Sequence, residues 1–408
     1  MSCYLGLIFS TLFLSFCLMG SNIHLFGEPN IRAPGFELET VVEGLSRPTG
    51  ISFIGPDEFF VIEEDTGKVK RVIDGQVTQT ILDLNVATDD SRGLLGIDST
   101  RNGNTTLVFL YLTESSSSDD GDDDKPLGNR LYRYELSDDG NSLLNPTLLL
   151  DLPAGPGSMD NGGPVLVGPD GNIYLFVGQV QEDNDIGHET LAQNFEEGAD
   201  ADGTSGVHRI TQDGRIIDPR IFGSPDSMAT YYAYGIRNGF GMDFDPISGN
   251  LWLSENGVYT NDEINLVEPG FNGGWKDVTG LVPNLDSEVL VTFNGSGKYS
   301  DPEFVWSDTV SPTALLFFNS SEFGPEYKND MFVGDYEFGR IYHFELNDER
   351  NALQLNGSLI DKVADSDSEL QNIIFGEDFG IPTDLEIGPD GMLYVSSLRD
   401  GAVYRISR

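Results

Sequence analysis

Short apolar runs recur along the chain, each opened by a cluster of Asp, Asn, Gly or Pro. Phe59-Phe60-Val61-Ile62 follows Ile54-Gly55-Pro56-Asp57, and Leu107-Val108-Phe109-Leu110-Tyr111 follows Asn102-Gly103-Asn104. Ile173-Tyr174-Leu175-Phe176-Val177 follows Gly168-Pro169-Asp170-Gly171, and Leu251-Trp252-Leu253 follows Asp245-Pro246 and Ser248-Gly249. Met331-Phe332-Val333 and Leu393-Tyr394-Val395 complete the series, the last after Gly388-Pro389-Asp390-Gly391. Turn chemistry before a run too short for a helix predicts a strand.

A second strand follows each copy, usually after a Gly and often carrying a basic residue. These are Gly67–Val72, Arg130–Tyr134, Gly206–Ile210, Glu263–Leu266, Gly339–Phe344 and Gly401–Ile406. Polar and apolar positions alternate in them, so one face of each packs between units. Six such pairs predict an all-β chain, a six-bladed β-propeller in which radial closure protects the sheet edges. Phe36–Val42 reads as a further strand that closes the ring on the final blade. No composition shift divides residues 36–408, which are read as one domain. Ser115–Asp124 is a Ser/Asp run between strand patterns and reads as a solvated loop, with a weak cation site as the alternative.

The first twenty residues depart from this pattern. Cys3–Met19 contains no Asp, Glu, Lys or Arg, as in the apolar region of a secretory signal. No basic residue precedes the run and no A-x-A site follows it, so an uncleaved N-terminal anchor is the alternative. Either way the expected location is secreted or on the extracellular face of the membrane. Cys17 as a lipoprotein site is a third reading, weakened by the bulk of Phe16 before it. Cys3 and Cys17 are the chain's two cysteines; removal of the leader would exclude disulfides and thiolate chemistry from the rest.

The charge narrows the partners. Lys and Arg number 23 and Asp and Glu 67 in 408 residues, a net charge of −44. So negative a surface repels nucleic acid and anionic lipid, leaving a membrane role only to the N-terminal segment. It favours solubility and attracts cations.

The densest motif lies in residues 229–280. Tyr234-Gly235-Ile236-Arg237-Asn238-Gly239-Phe240-Gly241 leads to Glu255-Asn256-Gly257, Asp262-Glu263-Ile264-Asn265 and Asn272-Gly273-Gly274-Trp275. Together with Arg47-Pro48-Thr49-Gly50-Ile51, Gly93-Leu94-Leu95-Gly96-Ile97 and Asn161-Gly162-Gly163, this resembles the soluble pyrroloquinoline quinone (PQQ)-dependent aldose sugar dehydrogenases, the glucose/sorbosone dehydrogenase family. The resemblance covers residues 36–408 in order. It implies oxidation of an aldose or related alcohol with PQQ and calcium.

Carried over position by position, the resemblance implies an altered site. The family's proton-abstracting His is Asp160 here, and the Asp that orients it is Gln179. Arg237 and Asn238 match the family's cofactor-contacting pair, and Asp160 and Arg237 are the candidate catalytic residues. The family's other cofactor contacts, a Gln, a Lys and two Arg, match Ser91, Glu337, Ile381 and Thr383. The resemblance also implies one calcium at the Gly257 and Val258 carbonyls and a structural one at Glu263 and the Gly273 carbonyl, oxygen donors that suit the ion. Each assignment has a plainer reading. Asp160 can simply cap a turn, Arg237 can balance an acidic protein, and Glu263 can be a solvated acid. The alternative at the level of function is therefore a non-catalytic, calcium-stabilised propeller that binds carbohydrate or protein. A hydrolytic reaction using Asp160 is a third reading.

Overall fold

The computed structural model describes residues 27–116, 126–181, 188–282, 285 and 289–408. The leader, both cysteines and most of the Ser115–Asp124 run lie outside the described residues. Within them the protein is an all-β propeller whose one α-helix is the short Asp367–Leu370 segment.

All six turn–strand copies form antiparallel hairpins with the strands that follow them. The hairpins belong to six sheets, whose innermost strands are Pro48–Gly55, Leu94–Asn102, Val165–Val167, Gly239–Phe244, Pro312–Phe318 and Pro382–Ile387. These strands neighbour one another in that order, and the last returns to the first. Apolar cores fill the spaces between sheets: Ile62 and Leu110 between the first two, Phe109 and Leu175 between the next, Phe176 and Leu253 beyond. Trp252 and Tyr342, then Phe332 and Val395, continue the series, and Val61 with Val403 closes it. Strand interiors such as Ile173–Val177 are buried along their whole length because a sheet lies on each side.

The expected closure is present: Glu37–Glu43 pairs antiparallel with Ala402–Ser407, so both ends of the described chain meet in one sheet. The sheets differ in size. Three sheets have four strands, two have five and one has six. Asn30–Ile31 adds an edge to Ile374–Glu377, and Phe271–Asn272, Lys298–Tyr299 and Val363–Ala364 return from long connections to pair in parallel. Such pairings join positions far apart in the chain and leave no periodicity to read.

A further device holds the ring. Asp98, Asp243 and Asp384 stand on the innermost strands of the second, fourth and sixth sheets. Each carboxylate accepts a backbone N–H from the innermost strand of the following sheet, Val167 at 2.6 Å, Phe317 at 2.7 Å and Ile51 at 2.7 Å. These amides would otherwise face the axis without a strand partner. The three acids and Glu386 line one end of the central channel, a cavity of about 500 Å³.

Candidate functional site

The other end of the channel opens into a second cavity of about 430 Å³, built from the innermost strands and the loops that enter and leave them. Asp384 touches both cavities.

Asp160 precedes the innermost strand of the third sheet. Its backbone is left-handed at φ 57°, and its carbonyl accepts the Val180 N–H. A Cβ on Gly178 would lie 2.2 Å from that carbonyl, so only glycine allows the approach. Turned this way, the Asp160 carboxylate meets the Arg237 guanidinium at 3.0 Å, with both side chains more than nine-tenths buried. Gln179 also donates to Asp160, at 2.9 Å, and accepts the Trp275 indole N–H at 2.8 Å. The Trp275 ring lies 5.7 Å from the guanidinium, a cation–π distance. Arg237 further donates to the Asn256 carbonyl at 3.2 Å and the Gly257 carbonyl at 3.0 Å. Its own amide bonds Glu255 at 2.6 Å.

The residues singled out in the sequence are thus only partly gathered. Asp160, Gln179, Arg237 and Gly257 form one connected network, with Asn238 beside it on the cavity wall. Ser91, Glu337, Ile381 and Thr383 also line the cavity. Glu263 sits behind it. The Asn265 side-chain amide donates to Glu263 at 3.0 Å and to Glu255 at 3.2 Å, and the Gly280 N–H donates to Glu263 at 2.5 Å. The Gly273 amide bonds the Tyr234 carbonyl at 3.0 Å. Val258 is half-buried on the turn beyond Gly257. Trp275, Glu255 and Asn256 were given no role from the sequence, although all three stand inside the motif that carried the resemblance.

Charge is distributed against an anionic ligand. Glu64, Asp90, Asp160, Glu337 and Asp384 reach the cavity, and Arg47 is its one basic lining residue among the described residues. Arg47 is taken up by Glu64 at 2.5 Å and Asp65 at 3.1 Å. Burial, more than the opposing pull of Arg47, pushes the Glu64 carboxyl up to about 7.

A closed propeller with a cavity at the mouth of its axial channel is a small-molecule site architecture. The chain belongs to the glucose/sorbosone dehydrogenase family, whose sequence model matches residues 45–405. It is 30% identical over 296 residues to the aldose sugar dehydrogenase YliI of Escherichia coli, covering 70% of this chain and 69% of that one. An uncharacterised protein of Synechocystis is 23% identical over 378 residues, covering 89% and 84%. The PQQ-bound aldose sugar dehydrogenase of Streptomyces coelicolor shares the fold, with TM-score 0.64, 20% identity and coverage of 93% and 99%.

The quinone these relatives suggest is a tricarboxylate, and the cavity does not fit it. Asp160 neutralises Arg237, Glu64 and Asp65 neutralise Arg47, and the remaining acids repel carboxylates.

Proposed function

We propose that this chain is a six-bladed, sugar- or polyol-recognising propeller of the glucose/sorbosone dehydrogenase family, exported from the cell, in which quinone-dependent oxidation is weakened or lost. The family and the size of the cavity support sugar recognition. The succession of six sheets around one channel supports the blade count, and the apolar leader supports export. The buried Asp160–Arg237 pair carries the loss of oxidation. An Asp whose charge is held by Arg237 and Gln179 is a poor proton acceptor at the position where the resemblance implies His, and the guanidinium is no longer free for a quinone carboxylate. Full oxidation of an aldose with PQQ and calcium is the competing reading, supported by Arg237 and Asn238 in the family positions.

The test is titration of the purified chain with PQQ and calcium, then dye reduction over a panel of aldoses. We expect binding weaker by at least ~10²-fold than that of a family member with the intact cation set, because each lost charge-assisted bond is worth roughly 1.5–3 kcal/mol. Tight binding with rapid, sugar-dependent reduction would restore the oxidative reading.

Calcium is proposed at Glu263. The Glu255 and Glu263 carboxylates are buried together and joined by one Asn265 amide, whose Oδ1 has no partner among the described residues. Burial first, then neighbouring acids, pushes Glu263 up to about 7, and a divalent cation would relieve both costs. At Gly257 and Val258 an ion would compete with Arg237, which already donates to the Gly257 carbonyl. Chelation is expected to lower Tm, since an ion at a hundredfold excess over its Kd stabilises by about 2.7 kcal/mol. Glu263→Ala is expected to abolish the calcium-dependent part of that shift; an unchanged chelator response in the variant would remove the assignment.

A further inference from the structure

Much of the cavity wall is apolar. Four of the six innermost strands contribute Ile97, Leu166, Phe240, Met242 and Leu315 to it. Leu166 and Phe240 are half-buried. Among the described residues Phe240 belongs to none of the apolar cores between sheets. A large ring that lines an axial cavity and joins no core is apolar surface kept for a ligand. Leu166, Met242 and Leu315 also line the acid-lined cavity at the other end, so with Asp384 they form the collar where the two cavities meet.

The hydroxyl groups of this wall are spent on the protein itself. Thr49 donates to the Leu94 carbonyl at 2.8 Å, Thr383 to the Pro48 carbonyl at 2.9 Å, Thr313 to the Pro382 carbonyl and Ser91 to the Ser158 carbonyl at 3.3 Å. A sugar ring pushed down to the collar would exchange water for carbon atoms and lose hydrogen bonds. The exposed carboxylates of Asp90 and Glu337 stand instead at the mouth, with the exposed Tyr336 ring. Acceptors there suit sugar hydroxyls, and the ring suits the apolar face of a sugar.

We infer that the central cavity takes a glycoside in preference to a free sugar. The apolar aglycone, an alkyl chain or a ring, runs down the axis past Phe240 toward the collar of Leu166, Met242 and Leu315. The sugar head stays at the mouth with Asp90, Glu337 and Tyr336. This inference rests on the sugar-recognition reading and adds the apolar half of the ligand to it.

The experiment is calorimetric titration of the full chain with glucose, with methyl, butyl and hexyl glucoside below their micelle concentrations, and with hexanol. Affinity is expected to rise about threefold for each added methylene, on the order of 10²-fold from methyl to hexyl, with a heat-capacity change that grows more negative along the series. Phe240→Ser removes a ring that holds no core together and should cut the methyl-to-hexyl gain by about tenfold. Gly163→Leu reaches the same end by filling the space: a Cβ there meets only the Leu95 carbonyl at 3.5 Å and the Phe240 ring at 3.7 Å, ordinary contacts that the fold accepts. Leu148→Ser, at an exposed leucine on the outermost strand of the second sheet, should leave the gain as it is. Equal affinity across the glucosides overturns the aglycone site and leaves sugar recognition standing. Hexanol binding as tightly as hexyl glucoside, or no binding of any compound, overturns both. A gain that survives both cavity variants, or that Leu148→Ser abolishes, places the chain elsewhere and also overturns the inference.

Discussion

Replacing Arg237 by methionine is expected to destabilise the fold by about 3–5 kcal/mol, the cost of leaving one member of a buried ion pair without its partner. Asp160 would keep Gln179 as a donor but lose its counter-charge in a site less than a tenth exposed. Glu255, already pushed well up by burial and by Glu263, would lose the guanidinium that opposes the shift. Methionine preserves bulk against Trp275, so the change reports charge more than a cavity. Asp160→Asn should cost less, because Arg237 retains the Asn256 and Gly257 carbonyls. The double variant should recover much of the loss, giving a coupling energy of about 1–3 kcal/mol in a double-mutant cycle. Chemical denaturation of the four proteins checks this. A loss below about 1 kcal/mol for Arg237→Met would mean that the pair is solvated.

That pair marks the boundary between what could be read from the sequence and what could not. The six hairpins were readable because their information is local: a turn of Asp, Asn, Gly or Pro next to a short apolar run sets a strand whatever its neighbours. The closing strand at Glu37–Glu43 was readable for the same reason, as an alternating segment with no partner nearby. The innermost strand Val165–Val167 is three residues long, and Asn30–Ile31 only two, too short for any period to show. Motif matching gathered Asp160, Gln179, Arg237 and Asn238 into one list but could not say that Asp160 and Arg237 bond each other. That contact depends on the left-handed turn at Asp160 and the close approach at Gly178. The resemblance likewise named Glu263 but could not show that the Gly280 N–H donates to it.

The axial acids left a faint signal that composition obscured. Asp98, Asp243 and Asp384 stand beside apolar or small residues of the inner strands, in Leu95-Gly96-Ile97-Asp98, Gly241-Met242-Asp243-Phe244 and Pro382-Thr383-Asp384-Leu385, with Glu386 following in the last. Three among 67 acidic residues attract no notice. Only the ring shows that they fall on alternate sheets and hold the next sheet by its backbone.

These acids are expected to make the protein's stability fall as pH rises from 5 to 8. Burial is the main cause that pushes Asp98 up to about 6 and Asp243 and Asp384 to about 7, against the backbone N–H bonds that pull each one down. Mutual repulsion adds to it. Asp98 and Asp243 face Asp384, and all three face Glu386, which burial and these neighbours hold well above the usual carboxylate range. A folded-state value above the unfolded value of about 4 means that the folded chain holds protons more tightly. The resulting stability is fully present below about pH 4 and is lost as pH climbs from there through about 7. Asp170, Asp202 and Asp245, held below their ordinary value against the opposing effect of burial by their hydrogen bonds and by Arg209, His188 and Arg350, act oppositely and lose stability only in more acidic solution. The two sets place the optimum near pH 5, and Tm is expected to fall by roughly 5–10 °C between there and pH 8. Added salt should recover more of Tm at pH 8 than at pH 5, because it screens charges present only at the higher pH. Asp243→Asn keeps an oxygen for the Phe317 N–H at 2.7 Å while removing the ionisation, so its Tm should vary less with pH. Neutralising an exposed acid such as Glu322 should lower the general repulsion without flattening the profile. Thermal melts of the three proteins from pH 4 to pH 9 decide the matter. A Tm that rises steadily from pH 5 to pH 8, or an Asp243→Asn profile parallel to that of the unaltered chain, would show that the axial carboxylates are already ionised at low pH and that the ring closes on charge.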